Sequence, residues 1–191
     1  MTIAFVILAA AAAAVIGLLI YASMQPDTFR IERSAVIHAP KETIANIVTD
    51  LRRGVEWSPF EKGKTMKKTL SDPATGEGAA LEWKGDSESG AGKLTIARVT
   101  PSKITLNLDM IKPMKASNVV EYTFEPQGDA TRMTWSIHGR MTMISKVMGL
   151  FMNMDKMCGD QFEKGFKDLK IVAERETPAL PLSDGSHTAA A

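Results

Sequence analysis

The sequence predicts an α+β chain: a curved antiparallel sheet of about seven strands wrapped on a long C-terminal helix, preceded by one transmembrane helix. Three observations carry this. Residues 3–22 are apolar at 19 of 20 positions, broken only by Gly17. Between Phe29 and Ile137, apolar residues recur at every second position in short runs separated by Gly, Pro, Asp and Ser turns. After Gly139 the apolar spacing changes to three and four, and no proline follows until Pro178.

These changes divide the chain into an anchor at 1–24, a folded domain at 25–175 and a tail at 176–191 whose two prolines and terminal alanines predict disorder. The length of 191 residues suits one globular domain with a short extension. Lys and Arg number 23 against 22 Asp and Glu, a formal charge of +1, which excludes bulk attraction to nucleic acid as the default function. The single cysteine, Cys158, excludes an intramolecular disulfide framework and a cysteine-based zinc site.

The head, Ile3 to Ala22, is long enough to cross a bilayer at 1.5 Å per residue, about 30 Å. A cleaved secretory signal would carry a positive start, a shorter apolar stretch and an A-x-A-like exit. Only Met1 and Thr2 precede this run, and Ile20-Tyr21-Ala22 is a poor cleavage site. An uncleaved single-pass anchor is therefore the reading adopted, ahead of a cleaved signal or a buried core helix. Arg30, Arg33 and Lys41 follow the run and no basic residue precedes it, which weakly favours a cytoplasmic domain.

Phe29 to Ile37 alternates as a first strand and stops at Ala39-Pro40. Proline at the first helical position, then Ile44, Ile47, Val48 and Leu51, predicts an amphipathic helix. Asp50 to Phe60 reads as a short second helix or turn interrupted by Gly54 and Ser58-Pro59. Strands are expected at Thr65–Leu70, Gly78–Lys84, Lys93–Val99, Ile104–Met110, Ser117–Phe124 and Met133–Ile137. In the clearest one, Ile104, Leu106, Leu108 and Met110 face one way and Thr105, Asn107 and Asp109 the other. Pro126 to Asp129 is expected to turn into the last strand, where Met133, Trp135 and Ile137 share a face. A single helix of about 30 residues should start at Met143, with Phe151, Met154, Cys158, Phe162, Gly165, Leu169 and Val172 on its buried stripe.

A strand, two short helices, six antiparallel strands and one long helix can bury the sheet face only by laying that helix across it, a helix-grip arrangement. The stretches FRIERSAVIHAPKETIANIVTDL, EWSPF, GEGAALEWKGD, GKLTIARVTPSKITLNL, TRMTWSIHG and DQFEKGFKDLK, in that order, resemble the START-like (SRPBCC) superfamily, and in particular its bacterial polyketide cyclase/dehydrase-type members. The resemblance covers about residues 28–175. One departure is Gly54, where members often carry an aromatic residue. The resemblance implies a hydrophobic cavity between sheet and long helix that holds lipids, sterols, polyketides or other apolar ligands. It transfers fold and not chemistry.

On the alternation, such a cavity would be lined by Trp57, Trp83, Leu94, Ile96, Leu106, Leu108, Met110, Val120, Tyr122, Trp135, Met154, Cys158 and Phe162. Trp83 is favoured over its neighbour Glu82 as the inward residue. Among carboxylates bordering the cavity, Asp109 and Glu121 point away by phase, which leaves Glu56 as a weak candidate for acid or base catalysis. No metal or cofactor is expected. His38 and His138 lie far apart on paired strands, with His138 placed near Ile31 and facing outward, and His187 is in the tail. Cys158 reads as a small core hydrophobe. Gly85 to Thr95 lacks the Lys-Ser/Thr ending of a phosphate loop and reads as a hairpin.

Two clusters remain. Met141, Met143, Met148, Met152, Met154 and Met157 crowd around the start of the long helix, either as core filling or as an adaptable surface facing a cavity mouth, a membrane or a protein partner. Lys62, Lys64, Lys67 and Lys68 read as a solvated edge strand, or alternatively as a headgroup-binding patch. The leading functional expectation is membrane-anchored binding of an apolar small molecule or lipid. A cyclase or dehydratase using a cavity carboxylate, and a protein-interaction module on the Met-rich helix, are the alternatives.

Overall fold

The computed structural model describes residues 2–62, 65–86 and 89–177. An apolar helix α1 (Thr2–Ser23) leads into strand β1 (Thr28–Ile37). Helix α2 (Lys41–Thr49), a 3-10 turn (Leu51–Arg53) and the single-turn α3 (Gly54–Trp57) follow. Then come β2 (Met66–Leu70), β3 (Ala80–Gly85), β4 (Ala91–Val99), β5 (Lys103–Lys112), β6 (Ala116–Gln127) and β7 (Ala130–Arg140). Helices α4 (Met143–Phe151) and α5 (Met154–Glu176) end the described chain.

The strands form one antiparallel sheet in the order β1-β7-β6-β5-β4-β3-β2. Six of them are a plain meander, and β1 closes the far edge by pairing with β7. The register places Ile31, Ile137, Val120 and Leu106 side by side, and Trp135, Tyr122 and Ile104 beside them. That face is apolar and carries the helices. The opposite face is charged, with Glu82 bonded to Lys93 at 3.0 Å and Glu121 to Lys103 at 2.8 Å, as a one-side-solvated antiparallel sheet requires.

Helix α5 lies over β1 and against α2 and α3. Phe162, Phe166, Leu169 and Ala173 are its buried apolar side chains, beside the buried Gly159 and Gly165, and they meet Ile37, Ile44, Ile47 and Trp135 in one continuous core. Each such side chain contributes about 1.5–3 kcal/mol of burial free energy. Arg33, at the inner face of β1, anchors the first turn of α5 through Asp155 at 2.8 Å. At the other end the Glu174 carboxylate accepts from the His38 backbone N–H at 3.1 Å, and Glu176 pairs with Arg53.

Several expectations need correction. The long helix is two helices, because Asn153 caps α5 by accepting from the Lys156 N–H at 2.8 Å and Met152 leaves the helical path. Phe151 and Met154 therefore fall off the buried stripe and are exposed. Pro40 sits at the N-cap of α2, not at its first helical residue. Pro126 and Gln127 continue β6, so the hairpin turn is only Gly128-Asp129. His138 lies opposite Arg30 and so beside Ile31, near which the strand pairing placed it. Helix α5 runs on to Glu176 with Thr177 as its C-cap, and residues 178–191 of the expected tail, with His187, lie outside the described residues.

Candidate functional site

The inner face of the sheet has two unlike halves. Under α5, on β1, β7 and β6, it is filled by an aromatic cluster centred on Trp135. That ring stacks on Phe162 with centroids 4.4 Å apart and an interplanar angle of 13°. Trp57, Tyr122, Phe60 and Phe166 meet it edge-on at 5.4, 5.5, 6.1 and 6.1 Å. Such geometry adds about 0.5–1.5 kcal/mol per pair beyond the area buried. The close seat of α5 depends on Gly165, where a Cβ would stand 2.7 Å from the Trp135 ring and 3.0 Å from Pro59.

The other half, on β3 to β5, is lined but less covered. Ile96 and Leu106 are buried, whereas Leu94, Leu108 and Met110, on the same face, are only partly so. Trp83 shares this face while Glu82 points out, and the Trp83 Nε1 donates to the Ser89 carbonyl at 3.1 Å. The result is an apolar strip running from the aromatic cluster to the edge of the sheet.

Of the residues expected to line a cavity, Trp57, Ile96, Leu106, Val120, Tyr122, Trp135 and Phe162 are buried. Trp83, Leu94, Leu108, Met110 and Cys158 are half-buried. Met154, in the first turn of α5, is exposed and lines an open groove with Phe29, Arg30 and Ile31 of β1. Burial pushes the Cys158 thiol up, with the charge of Asp155 adding to the effect.

Two polar donors stand out inside this apolar setting. Trp57 and Trp135 are 4% and 3% exposed, and among the described residues neither indole Nε1 has a hydrogen-bond partner. A buried donor left unpaired costs about 1–3 kcal/mol. Burial also raises the Tyr122 hydroxyl far above its usual range, with the negative charge of Glu61 as the second cause.

Glu56 does not reach this site. Its carboxylate is exposed and bonded to Arg53 at 2.7 Å, and that guanidinium holds it below the usual carboxylate range. The carboxylate that does enter is Glu61, only 12% exposed, paired with the inward-facing Lys68 at 2.7 Å. Gly54 makes room for it, since a Cβ there would fall on the Glu61 carboxylate. The departure at Gly54 was thus the one signal in the sequence that pointed to Glu61. The lysine cluster does not form one solvated edge either: Lys68 turns inward, Lys62 pairs with Asp168 on α5 at 2.8 Å, and Lys67 is exposed. Lys64 lies outside the described residues.

No three His, Cys, Asp or Glu side chains converge as a metal site among the described residues. His138 faces outward, with its Nδ1 3.5 Å from Arg30, and His38 is at the other end of β1. Gly85 and Gly90 close a hairpin through a 2.7 Å backbone bond, with residues 87–88 outside the described set.

The fold is shared with solved structures of low sequence identity. A protein from Chromobacterium violaceum, CV1439, superposes with a TM-score of 0.56 at 17% identity, covering 78% of this chain and 99% of its own. The major latex-like protein 151 of Panax ginseng gives 0.54 at 13% identity, covering 78% and 99%. The di-domain ARO/CYC StfQ from the steffimycin biosynthetic pathway gives 0.58 at 8% identity, covering 78% of this chain and 52% of that one. These likenesses establish the helix-grip, START-like fold. A search of curated proteins gives no match. The sequence profile described as polyketide cyclase / dehydrase and lipid transport matches residues 28–174, the whole sheet and nearly all of α5. Profile, strand order and long C-terminal helix agree, and the chain belongs to the polyketide cyclase/dehydrase and lipid transport family.

Proposed function

We propose that this protein is a membrane-anchored domain that binds an apolar small molecule or lipid between the inner face of the sheet and the C-terminal helix, without covalent chemistry. The observations that carry this are the half-covered apolar strip of Trp83, Leu94, Leu108 and Met110 and, on the Tyr122 side of the filled aromatic cluster, the buried Trp57 indole N–H, unpartnered among the described residues. They fit a ligand with an apolar body and an acceptor oxygen. The half-covered strip of Trp83, Leu94, Leu108 and Met110 supplies the apolar contact, at about 2.5 kcal/mol per 100 Å² before the cost of association. The family's association with lipid transport and cyclase substrates agrees with that chemistry.

The anchor is α1, which is by length and composition able to cross a membrane and is exposed over most of its surface. Titration of the full chain in detergent with 1-anilinonaphthalene-8-sulfonate tests the binding site. Saturable binding weakened by Trp83→Asp is expected, and unchanged binding in that variant would contradict the proposal.

A second reading rests on Glu61. Its inward carboxylate is a candidate acid or base for a cyclase or dehydratase, beside Lys68 and Tyr122. Under that reading Glu61→Gln binds ligand and loses turnover. Under simple binding, Glu61→Gln alters neither a product nor a rate.

A further inference from the structure

Helix α4 presents the reverse of an ordinary surface helix. Its one charged residue, Lys146, is 6% exposed and turned inward, bonded to Asp27 at 2.6 Å. Its apolar residues Ile144, Met148 and Phe151, spaced as one stripe at i, i+4 and i+7, face outward, with Phe151 73% exposed and Ile144 62%. Met143 and Met152 extend that stripe at either end.

The position of α4 says what covers the stripe. It packs against α1, whose Leu18 and Ala22, one turn apart, are the partly covered and the buried position of that helix. Both belong to the apolar run 3–22, so α4 lies level with the last turn of the segment that would cross the bilayer. The connection is held in place: the Met141 N–H donates to the Asp27 carbonyl at 2.8 Å, and the Lys146 bridge spans the same junction. An open groove of about 620 Å³ between β1 and the α4–α5 junction begins here, and the exposed Arg30 and Arg140 stand at this end of the sheet. A helix fixed beside the last turn of a membrane span, apolar outward and flanked by arginines, has the features of an interfacial helix.

We infer that α4 and the Met152 junction dock flat on the surface of the same bilayer that α1 enters. This rests on reading α1 as an anchor. Docking turns the groove at the α4–α5 junction toward the acyl chains.

Depth-dependent quenching tests it on the full chain in phosphatidylcholine/phosphatidylglycerol vesicles. Single cysteines at Ile144→Cys and, separately, Met148→Cys in a Cys158→Ser background carry a nitrobenzoxadiazole label. Val15→Cys reports on α1 and Asp129→Cys on the distant β6–β7 turn. Because interfacial helices sit about 5–10 Å into the headgroup and acyl boundary, lipids spin-labelled on the acyl chain should quench positions 144 and 148 at least about fivefold more than 129. Quenching at 15 without quenching at 144 or 148 overturns the docking and leaves the anchor standing. No quenching at any of the three overturns both. Labels at 144 and 148 shielded only in a homodimer, with no lipid quenching, assign the stripe to a second copy and equally overturn the docking.

Discussion

The two halves of the sheet's inner face are built from the same alternating pattern and end in different states. Beneath α5, every inward position of β7 from Thr131 to Trp135 is buried and Trp135 touches five other rings. Across β4 and β5, Leu94, Leu108 and Met110 face the same way and remain partly open. The difference lies in the cover and not in the strands. Helix α5 is fixed over β1 by Arg33–Asp155 and tied to the segment after α3 by Lys62–Asp168, and it packs mainly on β1, α2 and α3. One half therefore stores stability, and the other offers apolar surface that a ligand can still bury.

Truncation should separate them most sharply. Trp135→Ala removes the centre of the packed half and is expected to cost about 3–5 kcal/mol in urea unfolding, whereas Met110→Ala costs about 1 kcal/mol or less and instead weakens binding of the fluorescent probe. Equal losses of stability would erase the distinction between the halves.

A smaller effect tests the boundary between them. Trp57→Phe keeps an aromatic ring in contact with Tyr122 and Trp135 but removes a donor with no described partner. It should leave stability unchanged or raised, and lower affinity for an oxygen-bearing ligand by about 2–12-fold, the worth of one hydrogen bond. A ligand without an acceptor should not notice it.

The smallest effect concerns how α5 is held. Asp155 is held below its ordinary value of 3.8 by its hydrogen bond to Arg33, and Glu56 below 4.5 by Arg53. Carboxylates lowered in the folded state add stability that is complete above their unfolded values and is lost as pH falls through the folded ones. Protection of the amides in the first turn of α5, taken relative to the intrinsic exchange rate at each pH, should therefore be steady from pH 7 to about 5 and fall only below the ordinary aspartate range.

The sheet was legible because its inward residues alternate without interruption through Ile104, Leu106, Leu108 and Met110, a period that only a strand satisfies. The inward apolar residues of the sheet were legible, and the polar groups that join them were not. Periodicity sorts apolar residues by face, so Trp83 could be preferred over Glu82. It says nothing about a carboxylate outside a regular element, and Glu61 reaches the inner face only because the chain after α3 folds back over Gly54. Glu56 was misplaced for the same reason: in a four-residue helix no stripe is long enough to show which side is buried. The break at Met152 was hidden because Phe151 and Met154 keep helical spacing across it, and the Asn153 cap is a single residue.

A ligand held on the inner face of the sheet is the central requirement for this function. Organic extraction of the purified full chain, followed by mass spectrometry of wild type and Trp83→Asp side by side, measures this most directly. The expected result is an apolar molecule bearing an acceptor oxygen, stoichiometric with wild type and depleted in the variant. Recovery of only bulk membrane lipid, in equal amounts from both proteins, would contradict it.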